Sequence, residues 1–474
     1  MASRRTTTRV VPTAFMYATK TMYSKSMSAN PPKFFIRTYG CQMNVYDSRM
    51  VASLFEMDGL EETDNPEDAD IIIVNTCSVR EHAERRALGR ISSLQKLRRE
   101  KPELVLVVIG CMAERLGDKI PGADFFIGPK SYDKLPEFTR KIVKGKCQIS
   151  NFQFLNGCIP FPNPDGGVTA FLPVMRGCNN FCSYCIVPYV RGNAVSRNSN
   201  DILGELRYLR ERGVKEITLL GQSVNEYNFG EISFPELLRI IDREALGIRI
   251  RFLTSHPAYM SNDLIDAIAE CDSTCENIHL PIQSGSDRIL KLMERKYSVD
   301  EYRHWIRQLR ERIKGIALTT DIMVGFPTET EENFEETLKI VREVRFDFAY
   351  MFMYSEREGT KAALFPDDVL LDVKKERLER LIELQNSITR EKNGELLGKE
   401  VEILIEGKSR RDNLPMGKTR TGKEVIVKDA ECKMQNAKVG KYVNVYVESI
   451  SGWTGIGKIV EGKVKCPTTK AHSS

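Results

Sequence analysis

Short apolar runs that alternate with helical patterns constrain the fold of this chain most strongly. Between residues 33 and 111 one unit occurs three times: an apolar run, a cysteine directly after it and, in the first two units, an amphipathic segment. The runs are 34–40, 71–76 and 104–110, followed by Cys41, Cys77 and Cys111. Right-handed crossovers make such strands parallel and place these residues at the carboxyl edge of one sheet. A lone cysteine is most often a small buried hydrophobe, but three at equivalent positions predict a common site.

Six further apolar runs alternate with helical patterns in the middle of the chain. They are 172–175, 217–220, 248–253, 278–282, 317–324 and 348–354. This pattern predicts a partial parallel (βα)6 barrel with its active site at the carboxyl ends of the strands. Short alternating strands broken by Gly and Asn follow, and they predict a small β-barrel. The predicted fold class is therefore α/β, with an N-terminal parallel sheet, a central partial barrel and a C-terminal small β-barrel.

The length of 474 residues exceeds that of one ordinary core and indicates about three domains. We expect a sheet domain at 33–155, a Pro- and Gly-containing linker at 156–167, a barrel domain at 168–396 and a β-barrel at 397–462. The polar tail 463–474 is expected to be disordered. Residues 1–30 carry Arg, Lys, Ser and Thr but no acidic residue, which is typical of a mitochondrial presequence that is removed; the alternative is a disordered basic tail.

Composition excludes some classes of protein. The longest apolar run, 104–109, is far too short to cross a bilayer, so we expect no membrane span. A net charge of +5 is only mildly basic, so contacts with nucleic acid must come from local patches. Twelve cysteines, unevenly spaced in a chain without an apolar secretory segment, favour reduced thiols that act as ligands over a disulfide framework.

A compact cysteine motif follows the first predicted barrel strand. Cys178, Cys182 and Cys185 have the spacing C-x3-C-x2-C, so one loop can hold three irons of a cubane cluster and leave the fourth iron open. An open iron can be chelated by the amino and carboxylate groups of S-adenosylmethionine (SAM). A zinc knuckle would need a fourth Cys or His at ligand spacing, and none follows Cys185 closely. The motif therefore indicates an iron-sulfur site.

Together the motifs resemble those of the MiaB family of radical SAM methylthiotransferases, from about residue 33 to 462. The segments that carry the resemblance are TYGCQMN at 38–44, NTC at 75–77, IGC at 109–111 and GCNNFCSYC at 177–185. The QMN that follows Cys41 favours the branch that modifies tRNA over the branches that act on ribosomal protein or threonylcarbamoyl-adenosine. With the basic N-terminus, the similarity is greatest to the mitochondrial branch.

This resemblance implies cofactors, a reaction and partners. Cys178, Cys182 and Cys185 would hold the 4Fe-4S cluster that generates the radical, and Cys41, Cys77 and Cys111 a second 4Fe-4S cluster that supplies or carries sulfur. Two SAM molecules per turnover would convert N6-isopentenyladenosine next to the anticodon to its 2-methylthio derivative. The implied partners are the anticodon stem-loop of tRNA, an electron donor and a sulfur source, neither identified by the sequence. We expect a monomer.

Small and polar residues after the barrel strands are candidates for the SAM pocket, although each could equally be a turn residue. They are Gly221, Gln222, Ser255, Gln283, Ser284 and Gly325. A zinc site at Cys271, Cys275 and His279 is disfavoured, because a helix end followed by a strand would point these side chains apart. We expect the remaining four cysteines to be free thiols; they are Cys147, Cys158, Cys432 and Cys466.

The C-terminal region resembles the TRAM domain of this family, an RNA-binding module. Its basic residues fall in one stretch and could contact RNA phosphates or form a solvated loop: Lys408, Arg410, Arg411, Lys418, Arg420 and Lys423. Two alternatives to a tRNA methylthiotransferase remain open. One is an enzyme that modifies a ribosomal protein, and the other is a non-catalytic iron-sulfur regulator that binds RNA or a kinase.

Overall fold

The computed structural model describes residues 31–78, 81–146, 161–164, 167–428 and 438–460. The expected presequence, most of the expected linker, the tail and the four expected free thiols at 147, 158, 432 and 466 lie outside these residues. Within them the chain forms two compact units. The first contains residues up to 39, 47–76 and 83–162, and the second contains 40–46, 77–82 and the residues from 163 onward.

The first unit is built on a five-stranded parallel sheet with the order β2-β1-β3-β4-β5. Its strands are β1 (Lys33–Thr38), β2 (Glu61–Glu62), β3 (Ile71–Thr76), β4 (Val105–Gly110) and β5 (Phe125–Ile127). The helices that follow these strands are α1 (Gln42–Met57), α2 (Glu81–Leu94), α3 (Cys111–Leu116) and α4 (Leu135–Lys146). The predicted parallel sheet is thus confirmed, and β2 and β5 extend it at its two edges.

The central strand β3 shows why these residues form this sheet. All six of its residues are buried, as expected for a parallel strand that is covered on both faces. Ile71 and Ile73 pack into the apolar cluster on one face, and Ile72 and Val74 pack into the cluster on the other. The four apolar residues Ile71 to Val74 therefore fit the middle of the sheet, where both faces are covered.

The second unit contains the six parallel strands predicted for the barrel. They are β6 (Thr169–Pro173), β9 (Glu216–Leu220), β12 (Arg249–Phe252), β13 (Asn277–His279), β14 (Ala317–Val324) and β15 (Phe348–Met353). They form two three-stranded sheets with the orders β12-β9-β6 and β13-β14-β15. A parallel bridge between Ile250 and Thr274 joins β12 to the segment before β13. Two short antiparallel pairs, β7 (Met175–Arg176) with β8 (Val195–Ser196) and β10 (Asn228–Phe229) with β11 (Ile232–Ser233), lie between barrel strands.

The helices of the barrel connect these strands in sequence. They are α5 (Val187–Arg191), α6 (Ser199–Glu211), α7 (Phe234–Ala245), α8 (Asn262–Glu270), α9 (Asp287–Leu292), α10 (Val299–Arg312), α11 (Glu331–Val344) and α12 (Leu371–Gly394). Capping fixes where several of them begin. In α10 the side chains of Ser298 and Glu301 bond reciprocally to each other's backbone N–H, which satisfies two donors of the first turn.

The C-terminal region is a closed five-stranded barrel with the order β16-β17-β18-β20-β19. Its strands are β16 (Glu400–Lys408), β17 (Pro415–Thr419), β18 (Glu424–Val427), β19 (Tyr442–Ser451) and β20 (Thr454–Ile459). Alternate residues such as Val443, Val445 and Val447 fill its interior. A Cβ at Gly417 would lie 2.0 Å from the carbonyl oxygen of Leu404, so only glycine permits this strand approach. The predicted small β-barrel is confirmed.

The closed barrel attaches to the amino-terminal ends of the parallel strands. Arg249, the first residue of β12, donates to the carbonyl oxygen of Lys418 at 2.9 Å. Arg251 donates to the carbonyl oxygens of Thr419 at 2.7 Å and Arg420 at 2.6 Å. The hydroxyl of Tyr442 donates to the carbonyl oxygen of Lys215, directly before β9, at 2.8 Å. The carboxyl ends of the strands, where the cysteine loop begins, are thus at the opposite end.

Candidate active site at the carboxyl ends of the barrel strands

The loop that carries Cys178, Cys182 and Cys185 starts directly after β7. Gly177 has a φ of +76°, and a Cβ there would lie 1.9 Å from the carbonyl oxygen of Asn193, so no other residue fits. The backbone N–H of Cys178 donates to Gly192 at 3.1 Å, and that of Cys185 donates to the carbonyl of Cys182 at 2.9 Å. The sequence GCNNFCSYC therefore folds into one compact loop closed by its own backbone.

Contacts from distant segments hold this loop in place. The hydroxyl of Ser183 donates to the carbonyl oxygen of Leu292 at 2.8 Å, and its backbone N–H donates to that of Met293 at 3.0 Å. The backbone N–H of Ala362 donates to the carbonyl of Ser183 at 2.7 Å. Tyr184 packs against the apolar cluster that includes Phe326. The loop is therefore held by three other segments of the chain.

Polar groups approach the sulfur atoms individually. The side-chain amide of Asn180 lies 3.4 Å from Cys178 Sγ and 3.3 Å from Glu226 Oε2. The hydroxyl of Tyr259 donates to Asn180 Oδ1 at 3.0 Å. The guanidinium of Arg295 donates from Nη1 to Cys182 Sγ at 3.3 Å. These groups are suited to stabilise sulfur atoms that carry negative charge.

Burial shapes the protonation of the thiols. It raises the pKa of Cys178, and it raises the pKa of Cys185 to about 12, with the neighbouring cysteines contributing to both shifts. A thiol must lose its proton to bind iron, so a metal would have to displace these protons. Within the described ranges no group of three or more His, Cys, Asp or Glu side chains is arranged closely enough to hold a metal ion. Iron ligation by Cys178, Cys182 and Cys185 therefore stays a prediction that rests on their side-chain type and on the loop that they share.

Unpartnered polar atoms at the ends of β9 and β12 fit a polar ligand beside this loop. In the described part of the chain Gln222 Oε1, Ser255 Oγ and His256 Nε2 are buried without a hydrogen-bond partner. His256 Nδ1 accepts from the backbone N–H of Ala258 at 3.2 Å, so the ring hydrogen lies on Nε2. Burial, followed by the charges of Arg295 and Lys296, lowers the pKa of His256 to about 2. These residues thus leave polar atoms available to a ligand with hydrogen-bonding groups.

The other predicted pocket residues have different surroundings. A Cβ on Gly221 would lie 2.7 Å from Met175 Cγ, directly before the cysteine loop. Gln283 has a φ of +68° and bridges to β14 through Ile322. The hydroxyl of Ser284 lies 3.3 Å from that of Thr337 in α11, so it is turned to the helix layer.

Gly325 forms a turn. It has a φ of +68°, and a Cβ on it would lie 2.4 Å from Lys374 Cγ. Its backbone N–H donates to Glu329 Oε2 at 2.6 Å. Of the six predicted pocket residues, Gln222 and Ser255 thus offer free polar atoms, whereas Ser284 and Gly325 have structural partners.

Sequence reasoning missed Asn180, Arg295 and His256. Asn180 lies within the cysteine motif itself, and a polar residue between two ligands could have suggested it. His256 directly follows Ser255 and could have been included with it. Arg295 lies 113 positions from Cys182 and carries no local signal for its contact with the loop.

The N-terminal cysteines occupy the predicted positions along the chain. Cys41 lies shortly after β1 and is exposed, and its thiol donates to Asn44 Oδ1 at 3.2 Å. Cys77 directly follows β3 and Cys111 directly follows β4; both are buried. Their preceding residues, Thr76 and Gly110, are register partners in the sheet. β1, β3 and β4 are neighbours, so each cysteine follows the carboxyl end of an adjacent strand.

The disfavoured zinc site has other partners in the structure. His279 Nδ1 lies 3.0 Å from Thr319 Oγ1 and its Nε2 lies 3.4 Å from Asp321 Oδ2. Cys271 and Cys275 are buried, and burial raises the pKa of Cys275. Among the described residues these side chains do not form a group that could hold a metal ion.

The C-terminal basic stretch is divided by the structure. Lys418 pairs with Glu406, Lys423 with Asp347, and Arg420 with Glu276, so these three cations face carboxylates of the protein. Neither a solvated loop nor free phosphate-binding groups describes these three residues fully, and RNA contact by them stays a prediction. Lys408, Arg410 and Arg411 are exposed around the turn between β16 and β17.

Comparison with known proteins agrees with this architecture. Three family models match the chain: an uncharacterized protein family, UPF0004, at residues 33–128, the Radical SAM superfamily at 172–341 and the TRAM domain at 394–460. A cobalamin-containing radical SAM methyltransferase, TsrM from Kitasatospora setae, shares the fold with a TM-score of 0.53 at 14% identity. The match covers 68% of this chain and 72% of that one.

Curated relatives match over nearly the whole chain. A protein from Caldicellulosiruptor saccharolyticus is 46% identical over 439 residues, covering 90% of this chain and 92% of its own length. One from Parabacteroides distasonis is 45% identical over 442 residues, with 90% and 96% covered. Both are named tRNA-2-methylthio-N(6)-dimethylallyladenosine synthase.

The cysteine loop at the end of a parallel barrel strand, with the matched regions, defines a radical SAM enzyme that carries a TRAM domain. Its cofactors are therefore SAM and a 4Fe-4S cluster, and the family is consistent with a second cluster. The chain belongs to the MiaB-like family of radical SAM tRNA methylthiotransferases. In the described residues no helix is long and apolar enough to span a membrane.

Proposed function

We propose that this enzyme converts N6-isopentenyladenosine next to the anticodon of tRNA to 2-methylthio-N6-isopentenyladenosine. The proposal is supported by the names of relatives that are 42–46% identical over 86–93% of the chain. The observation that carries it is the fixed loop that presents Cys178, Cys182 and Cys185 beside unpartnered polar atoms.

The residues of the chain have distinct tasks in this reaction. The three thiols of the loop would bind the SAM-cleaving cluster, and Cys41, Cys77 and Cys111 the cluster that provides sulfur. The bound cofactors supply the one-electron chemistry that an aromatic C2–H requires, because no general base can remove so weakly acidic a hydrogen. Gln222, Ser255 and the neutral His256 would orient SAM, and Asn180 and Arg295 would donate to the cluster sulfurs.

We propose that the exposed turn with Lys408, Arg410 and Arg411 contacts phosphates of the tRNA. Each phosphate contact releases counterions, so replacing all three residues with alanine should weaken tRNA binding and reduce the slope of log affinity against log salt by about 2–3. Lys314, just after the end of α10, and Lys339, in the middle of α11, are exposed and provide the control pair. An unchanged salt slope in the triple variant would refute this contact.

We infer that the enzyme works in mitochondria. The support is the basic segment 1–30 without acidic residues, which precedes the first matched family region at residue 33. We also propose that the chain belongs to the mitochondrial branch of the family, that of the cyclin-dependent kinase five regulatory-subunit-associated protein one. A fluorescent reporter fused to residues 1–32 should enter mitochondria, and a diffuse cytosolic signal would refute the inference.

Mass spectrometry of tRNA nucleosides from cells that lack the protein tests the reaction itself. Methylthiolated isopentenyladenosine should disappear and return when the wild-type gene is restored. Unchanged nucleosides, or a methylthio group lost from a ribosomal protein instead, would refute the proposed substrate.

Two cysteine variants test the division of tasks. Cys182→Ala should abolish cleavage of SAM to 5'-deoxyadenosine by the purified, reconstituted enzyme. Cys77→Ala should retain that cleavage but fail to insert sulfur. Cys275→Ala, a buried cysteine outside both triplets, is the matched control and should retain both activities. The assignment of the two cysteine triplets would be contradicted if Cys77→Ala lost SAM cleavage while Cys275→Ala retained it. It would also be contradicted if Cys182→Ala retained SAM cleavage.

A further inference from the structure

The guanidinium of Arg295 is held in one orientation next to the cysteine loop. Nη1 donates to Cys182 Sγ at 3.3 Å, Nη2 to the carbonyl oxygen of Pro281 at 3.2 Å and Nε to the hydroxyl of Tyr297 at 3.1 Å. The backbone N–H of Arg295 donates to Leu290 at 2.9 Å. Each of the three guanidinium nitrogens thus has a hydrogen-bond acceptor. One of these acceptors, Cys182, is a predicted cluster ligand.

The charge of Arg295 is not balanced by any carboxylate of the residues that the structure describes. Over the residues that the structure describes, no Asp or Glu lies within ion-pair distance of this guanidinium, and its partners are a thiol, a phenol and a carbonyl. Other buried arginines of the barrel differ: Arg251 pairs with Glu216 and Arg377 pairs with Glu329. A partly buried cation is costly unless an anion neutralises it. The geometry therefore calls for negative charge at Cys182.

The environment of Cys178 is different. Its sulfur receives neutral N–H groups from Asn180, and the same side chain contacts the carboxylate of Glu226. In the described part of the chain, Arg295 is therefore the cation that contacts a sulfur of the loop, and that sulfur belongs to Cys182.

We propose that Arg295 is a positioning residue that neutralises the Cys182 thiolate and raises the reduction potential of the cluster held by this loop. The inference rests on the proposed function for the presence of that cluster. Reduction by an external one-electron donor adds one negative charge to the cluster and its ligands. A cation at a fixed, short distance stabilises this reduced form more than the oxidised form.

Potentiometric titration tests this role independently of turnover. The N-terminal cysteines are first replaced with alanine, so that only the loop cluster remains, and the reduced cluster is followed by electron paramagnetic resonance with dithionite as reductant. Arg295→Gln keeps N–H donors but removes the charge. At a fixed potential its ratio of reduced to oxidised cluster should fall about tenfold, equivalent to about 59 mV for a one-electron couple.

Two further variants make the result decisive. Arg295→Lys keeps the positive charge and should stay closer to wild type than Arg295→Gln. Arg303→Gln removes a surface charge on α10 that pairs with Asp300 and Glu343, and its midpoint should not move.

The outcomes separate this inference from the proposed function. Equal midpoints for wild type and Arg295→Gln, both with about four irons, would overturn the role of Arg295 alone. If Arg295→Gln binds no iron, retention of iron by Arg295→Lys supports neutralisation of the thiolate, and loss of iron there too overturns it. A wild-type loop that binds no iron would refute the proposed function as well.

Discussion

Arg420 makes one of the contacts that attach the closed barrel to the region of the parallel strands. Its Nε and Nη2 donate to the two carboxylate oxygens of Glu276 at 2.8 and 3.0 Å, and Nη2 also donates to the carbonyl oxygens of Thr274 at 2.7 Å and Asp272 at 3.0 Å. The side chains of Arg420 and Glu276 are only 24% and 20% exposed. The burial of this ion pair is therefore intermediate between that of an exposed pair and that of a fully buried pair.

The magnitude follows from that intermediate position. Breaking a fully buried pair costs about 3–5 kcal/mol, whereas an exposed pair is worth about 0–1 kcal/mol. We therefore expect Arg420→Ala to destabilise the attached barrel by about 2–3 kcal/mol. A double-mutant cycle with Glu276→Ala should give a coupling energy of about 1.5–2 kcal/mol, because the bidentate contact is direct.

Tryptophan fluorescence provides the assay. Trp453 of the closed barrel lies with its ring 6.0 Å from that of Phe348, the first residue of β15. The chain has two tryptophans, so Trp305→Phe leaves Trp453 as the reporter during urea unfolding. The Trp453 transition should move to lower urea in Arg420→Ala.

A surface pair on the same unit provides the control. Arg303 and Glu343 lie 3.0 Å apart with side chains 26% and 47% exposed, and their cycle should give about 0.5 kcal/mol or less. A coupling for Arg420 and Glu276 no larger than that of this control would refute the reasoning.

Two other predictions concern backbone conformation and pH. Gly110→Ala should destabilise the sheet unit by about 2–3 kcal/mol in thermal unfolding, because φ is +96° and a Cβ would lie 2.3 Å from the carbonyl oxygen of Thr76. Gly89→Ala, in an exposed helical position with nothing within 4 Å of the new Cβ, should instead be neutral or stabilising, and equal losses in both variants would contradict this account. Burial lowers the pKa of His256 to about 2, so below the unfolded value of about 6.5 the unfolded state binds more protons. The free energy of unfolding therefore decreases as the pH is lowered, by up to about 1.4 kcal/mol per pH unit. His256→Gln should flatten the dependence of unfolding free energy on pH between 3 and 6, and an unchanged slope would show that this ring does not titrate as described.

Local patterns in the sequence predicted most of the architecture. The six barrel strands are recognisable because each is a short apolar run between helical segments, and the first three cysteine units share one pattern. The edge strands β2 and β5 were missed, because two and three residues are too few to show any periodicity.

Contacts between distant side chains could not be predicted in this way. The partners Arg420 and Glu276 are 144 positions apart, and Arg295 lies 113 positions from Cys182. In the sequence each of these arginines is one more charge in a polar segment. Their roles depend on which carboxylate or thiol the fold brings near, and this information is absent from local periodicity. For the same reason the sequence could not show that Ser284 contacts a helix residue, Thr337, whereas the hydroxyl of Ser255 has no hydrogen-bond partner among the described residues.

The closed barrel and the cysteine loop lie at opposite ends of the same parallel strands. A strand such as β14, with eight residues, is about 26 Å long, so an RNA that contacts both ends must extend over at least this height. A free nucleoside or a very short oligonucleotide can occupy only one of the two ends and loses the gain in effective concentration that simultaneous contact provides. The enzyme should therefore select its substrates by length as well as by the modified base.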